Sequence, residues 1–140
     1  MFEYKRSHGF VTWGALWVAF SILIGAAGKH VFDAEEQLSR AELLDLSSEY
    51  GMMMGLSLMV LAVVRWMGFW SSRPPWPERF LSLGLFFFSG GLCARAFAPE
   101  LRFTDLLSPC IPIGGMLLVM GFVWAAIETI RELFVSESLE

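Results

Sequence analysis

An uncharged run over residues 9–28 constrains this chain more than any other feature. About 20 residues rising 1.5 Å each cross a hydrocarbon core of roughly 30 Å. Lys5 and Arg6 precede the run, and Lys29 and His30 close it. Phe2, Tyr4, Phe10 and Trp13 crowd its start, as aromatic residues do at a water–lipid boundary. A cleaved secretory signal is the rival reading, but its apolar region would span only about 7–15 residues. Three further apolar segments follow, so the first is read as a retained span over residues 10–27.

The second span is expected over residues 50–67. Its uncharged part is short, and Glu49 and Arg65 flank it, so both are placed at the membrane boundaries, with Arg65 snorkelling outward. Ahead of it the chain is acidic, and Ser39-Arg40-Ala41-Glu42 fits a capping box that starts a helix near Arg40. Gly51-Met52-Met53-Met54-Gly55 is a GxxxG pattern, which lets two helix backbones approach closely. Its consecutive methionines point to different helix faces and read as packing, not as a soft-metal ligand set.

Pro74, Pro75 and Pro77 break the helical pattern in a loop over residues 71–79. The third span is expected over residues 80–98, with Gly84 and Gly91 at seven-residue spacing on one face and Arg95 near its end, snorkelling to the interface. Ser108-Pro109 reads as an N-cap followed by a first-position proline, opening a fourth span over residues 109–127. Gly114, Gly121 and Ala125 form a stripe along it, and Gly25 ends the first span on another small-residue face. Residues 128–140 form a polar, acidic tail.

Together these segments predict an all-α protein: one integral membrane domain over residues 1–140, an up-down-up-down four-transmembrane-helix bundle with both termini on one side. Six cations (Lys5, Arg6, Arg65, Arg73, Arg79, Arg131) then share the terminal side and four (Lys29, Arg40, Arg95, Arg102) the other. The positive-inside rule places the termini in the cytoplasm. Only 17% of residues are charged, against about a quarter in soluble domains. The net charge of -4 and the lack of a basic stripe exclude a nucleic-acid partner.

Little in the chain is equipped for catalysis. There is no HExxH, P-loop or nucleophile elbow, His8 and His30 fall at opposite membrane faces, and no cofactor or metal is expected. Cys93 and Cys110 are expected as free thiols. One polar constellation stands out: His30, Glu49, Tyr50 and Arg95, with Ser108, each start or end a span and so could meet at the mouth of the bundle. Such a mouth would suit a lipid headgroup or a quinone-like molecule, with His30 as the titrating group. The simpler reading is that these residues cap helix ends.

Gly25-Ala26-Ala27-Gly28-Lys29-His30 followed by Tyr50, then Phe88-Ser89-Gly90-Gly91-Leu92, then Pro112-Ile113-Gly114-Gly115 with Gly121, resembles the domain of unknown function 423 family of small membrane proteins. The resemblance implies four transmembrane helices and no established activity. It also implies a second histidine one turn after the tyrosine, where this chain carries Met54, and a polar residue after the tyrosine, where it carries Gly51. A role resting on a tyrosine–histidine pair is therefore not expected here. The expectation drawn from all this is a non-enzymatic accessory or scaffold subunit, in contact with membrane lipids and packing against other membrane subunits through its small-residue faces. The alternative is a binder or carrier of a lipophilic ligand at His30, Tyr50 and Arg95.

Overall fold

The computed structural model describes residues 2–31, 38–70, 74–99 and 108–137. Four helices make up the described chain: α1 (Phe2–Val31), α2 (Leu38–Trp66), α3 (Trp76–Phe97) and α4 (Cys110–Glu137). No strand occurs among the described residues. Each helix carries a stretch long and apolar enough to span a membrane: His8–His30, Leu38–Trp66, Trp76–Phe97 and Cys110–Glu132. Large apolar side chains lie on their outer faces, with Leu23 69% and Met116 68% exposed. So much apolar surface is incompatible with water and suits lipid.

The helix limits differ from the sequence expectation at their starts: α1 already begins at Phe2, ahead of its expected span from residue 10, and α4 at Cys110, just after Pro109. α2 begins at Leu38, so Ser39 lies inside its first turn and does not precede it. α3 begins at Trp76, four residues before the expected span, because Pro77 falls at a first-turn position where a missing N–H costs nothing. α2 closes through Gly68, whose φ of +94° lies in the left-handed region that favours glycine. The Met67 N–H donates to the Val63 carbonyl at 2.9 Å and the Gly68 N–H to the Arg65 carbonyl at 3.0 Å. That reversal brings Trp70 back against the helix it has just left.

Packing follows stripes at alternating three- and four-residue steps. α2 buries Leu44, Ser48, Gly51, Gly55, Leu58, Ala62 and Arg65. α1 buries Gly14, Trp17, Ser21, Ile24 and Gly28, and α4 buries Gly114, Leu118, Gly121, Ala125 and Glu128. Such spacing keeps one seam facing a neighbour along several turns. α1 packs on α2, α2 on α3 and α3 on α4, with slight contact between α1 and α3. α3 is the central element: its apolar stretch is 44% buried within the protein, against 22% for those of α1 and α4.

Glycines set the closest approaches. A Cβ on Gly14 would lie 2.6 Å from the Gly55 carbonyl oxygen, and one on Gly25 2.6 Å from Ser48 Oγ. On Gly84 it would meet the Leu118 nitrogen at 2.8 Å, on Gly114 the Phe88 nitrogen at 2.5 Å, and on Gly121 Leu81 Cγ at 2.8 Å. A Cβ on Gly51 would collide with Ser21 Oγ, and Gly91 would meet Ile111 Cγ1 at 2.8 Å. All these neighbours belong to the same chain. Hydroxyls fasten the seams: Ser48 Oγ donates to the Ser21 carbonyl at 2.7 Å and Ser47 Oγ to the Ser89 carbonyl at 2.8 Å. Interhelical hydrogen bonds of this kind are worth about 0.6 kcal/mol each on average.

Candidate functional site

The buried charged side chains among the described residues gather between α2, α3 and α4. Arg65 ends α2 and Glu78 stands in the first turn of α3, so each sits at the helix terminus whose dipole favours its charge. Arg65 Nε donates to Glu78 Oε1 at 2.5 Å and Nη2 to Glu78 Oε2 at 3.1 Å, a two-pronged pair. Nη2 also reaches Glu128 Oε2 at 3.2 Å, and Nη1 donates to the Trp70 carbonyl at 2.8 Å. Trp124 Nε1 donates to Glu128 Oε1 at 3.1 Å, filling the other carboxylate oxygen. The guanidinium carbon lies 5.6 Å from the Trp70 ring centroid.

Arg65, Glu78 and Glu128 are only 8%, 0% and 2% exposed. Arg65 therefore does not snorkel outward, as its position at a span end suggested; it turns inward. The reason is that two carboxylates on neighbouring helices and a backbone carbonyl offer it more than lipid headgroups can. Burying an ion costs several kcal/mol, which only near-complete hydrogen bonding offsets, and this triad has it. Its carboxylates are engaged by the guanidinium and the Trp124 indole, which suits it to fasten three helices. Among the described residues no three His, Cys, Asp or Glu side chains gather to hold a metal ion.

The polar mouth read from the sequence lies at the other end of the helices. His30 and Glu49 are exposed there, on α1 and α2. Tyr50 is half-buried and turns the other way, its ring 5.0 Å from that of Phe88 on α3. Arg95 is exposed and donates from Nη1 to Ser108 Oγ at 3.3 Å. Among the described residues this hydrogen bond joins Arg95 to Ser108. Cys93 and Cys110 are free thiols.

The spacing of the sequence did not reveal one apolar hollow of the fold. It runs between α1 and α3, encloses about 400 Å³, and is lined by Trp13, Leu16, Trp17 and Phe20 facing Phe86, Gly90 and Phe97. Its α1 wall is a ladder of rings in edge-on contact, Trp13 to Trp17 at 6.0 Å and Trp17 to Phe20 at 5.4 Å. Trp17 Nε1 is buried without a hydrogen-bond partner among the described residues. A second hollow of about 370 Å³ shares Trp13 and reaches Gly9, Phe10, Pro75, Arg79 and Ser82 at the starts of the same two helices.

Four apolar helices joined by buried glycine seams and an ion triad, with greasy outer faces, define an integral membrane protein. The chain belongs to the family described as protein of unknown function DUF423, whose pattern it matches over residues 24–115. It is similar to a UPF0382 membrane protein of Staphylococcus haemolyticus, 30% identical over 87% of this chain and 95% of the relative. UPF0382 membrane proteins of Staphylococcus epidermidis and Staphylococcus aureus are 29% and 27% identical over the same 87% of the chain and 95% of each relative. No solved structure matches it.

Proposed function

We propose that this protein is a non-enzymatic binder of a lipophilic molecule, held in the groove between α1 and α3. The groove carries the proposal: an apolar hollow of about 400 Å³ walled by aromatic rings on two spanning helices. Such a surface forfeits dispersion contacts wherever it stays unfilled, so a molecule that fits it gains over one that does not. An accessory-subunit role would call for small-residue faces turned outward. Gly14, Gly51, Gly55, Gly84, Gly91, Gly114 and Gly121 instead meet other helices of the same chain, which favours the groove reading.

The helices are proposed to run up-down-up-down, with both termini in the cytoplasm of a bacterial cell. The opposed register of successive contacts supports this: Gly14 lies by Gly55 while Gly28 lies by Leu44, and Gly84 by Leu118 while Gly91 lies by Ile111. His8 packs on Trp66 at 6.1 Å, which puts the start of α1 at the end of α2. The excess of Lys and Arg at that end supports the orientation.

Gly90→Leu tests the groove. A Cβ on Gly90 meets only the far edge of Trp17, at 3.8 Å, so a larger side chain enters the hollow without striking backbone. Protein purified in mild detergent is extracted and its lipophilic content weighed by mass spectrometry. The wild type is expected to retain a molecule that Gly90→Leu loses while unfolding no more easily. Equal retention in both would remove the proposal.

A further inference from the structure

We infer that the groove and the second hollow form one elongated site for a phospholipid, with an acyl chain along the aromatic wall and an anionic headgroup at Arg79. The inference rests on the groove reading and adds the chemistry of its polar end. Trp13 lines both hollows, so they adjoin along the same pair of helices. The first is apolar throughout. The second ends at Arg79 and Ser82, whose hydroxyl is buried without a hydrogen-bond partner among the described residues.

Arg79 is suited to an anion. Its neighbour Glu78, the nearest carboxylate in sequence, is committed to Arg65 in the buried triad. Arg79 is exposed and has no ion pair with a described residue. Its guanidinium carbon stands 5.1 Å from the Trp76 ring centroid, and stacking of this kind orients the planar group while its N–H edges stay available. A guanidinium so held presents paired donors to phosphate oxygens.

The depth also fits. Gly9 and Arg79 fall within the first turn of the spanning stretches His8–His30 and Trp76–Phe97, at the level where headgroups lie. From Arg79 to Gly90 the helix rises about 16 Å, close to half of a hydrocarbon core roughly 30 Å thick. A chain whose headgroup sits at Arg79 therefore reaches Gly90 within one leaflet. The occupant is a lipid of that leaflet, with charge at one end of the site and rings along the rest.

The test offers the purified protein in mild detergent an equimolar mixture of palmitoyl-oleoyl phosphatidylglycerol and phosphatidylcholine, and reads retained lipid by native mass spectrometry. Wild type is expected to favour the anionic lipid about fivefold, the effect of one cation near a membrane surface. Arg79→Gln is expected to bring the two to parity with phosphatidylcholine unchanged, Arg79→Lys to keep part of the preference, and Gly90→Leu to lose both. Equal retention by wild type, or a preference that survives Arg79→Gln, overturns the headgroup assignment while loss of both lipids in Gly90→Leu leaves the groove reading standing. Both lipids surviving in Gly90→Leu overturns the groove itself. A mass of two chains without lipid gives the groove to a second copy and overturns both.

Discussion

The two flanks of α3 show opposite ways for membrane helices to meet. Toward α4, Gly84, Gly91, Gly114 and Gly121 let the backbones approach until a Cβ would not fit. Toward α1, Trp13, Trp17 and Phe20 face Phe86 and Phe97 and hold the helices apart around a hollow. Lipid is as apolar as leucine, so greasiness does not decide which seam closes. Residue size does, and on the closed flank a buried charge cluster adds to it.

The largest expected break is at that cluster. Arg65→Ala leaves Glu78 and Glu128 buried without their cation, and removing one member of a buried pair costs about 3–5 kcal/mol. Unfolding by sodium dodecyl sulfate in mixed micelles measures it. Replacing all three residues together, as Arg65→Met with Glu78→Leu and Glu128→Leu, is expected to cost less than Arg65→Ala alone, because no orphan charge remains.

Next is Gly114→Leu, whose side chain meets the Phe88 nitrogen and the Gly84 carbonyl oxygen, both backbone. It is expected to cost about 1–3 kcal/mol or more and to loosen α4 from α3, read by the same titration. A smaller loss follows from Ser47→Ala, which removes the bond to the Ser89 carbonyl and is expected to cost about 0.6 kcal/mol. Least affected is the far end. His30→Ala and Glu49→Gln change exposed side chains, and are expected to stay within about 0.5 kcal/mol of wild type and to retain the same lipid.

Much of this architecture was legible in the chain. Residues 9–28 lack charge, Pro74 and Pro75 stand between α2 and α3, and the Gly114–Gly121–Ala125 stripe shows which face of α4 packs. The same logic, carried one step further, also marks the triad. Glu128 continues the α4 stripe three residues past Ala125, and Arg65 continues the α2 stripe seven residues past Leu58. Composition alone placed Arg65 at a lipid boundary, where outward snorkelling and inward pairing look alike. Its partners stand 13 and 63 residues away, and only the folded register brings them together.

The polar mouth shows the converse. His30, Glu49, Tyr50 and Arg95 do fall near the ends of spans, but Glu49 and Tyr50 are adjacent on one helix and point to different sides. The groove was not legible because no single segment encodes it. It depends on α1 leaning on α2 while barely touching α3, and on the sizes of rings at 13–20 and 86–97 that face each other across the gap.

Two adjacent glycines on α3 allow the sharpest comparison of its flanks. Gly90 borders the groove, and Gly91 lies on Ile111 of α4. Detergent-induced unfolding of Gly90→Leu and Gly91→Leu, side by side, is the decisive measurement. Gly90→Leu is expected to unfold at or above the wild-type midpoint, since leucine favours helix over glycine, and Gly91→Leu to lose about 1–3 kcal/mol. If Gly90→Leu proves as damaging as Gly91→Leu, the α1–α3 seam is closed, and there is no groove for a lipid to fill.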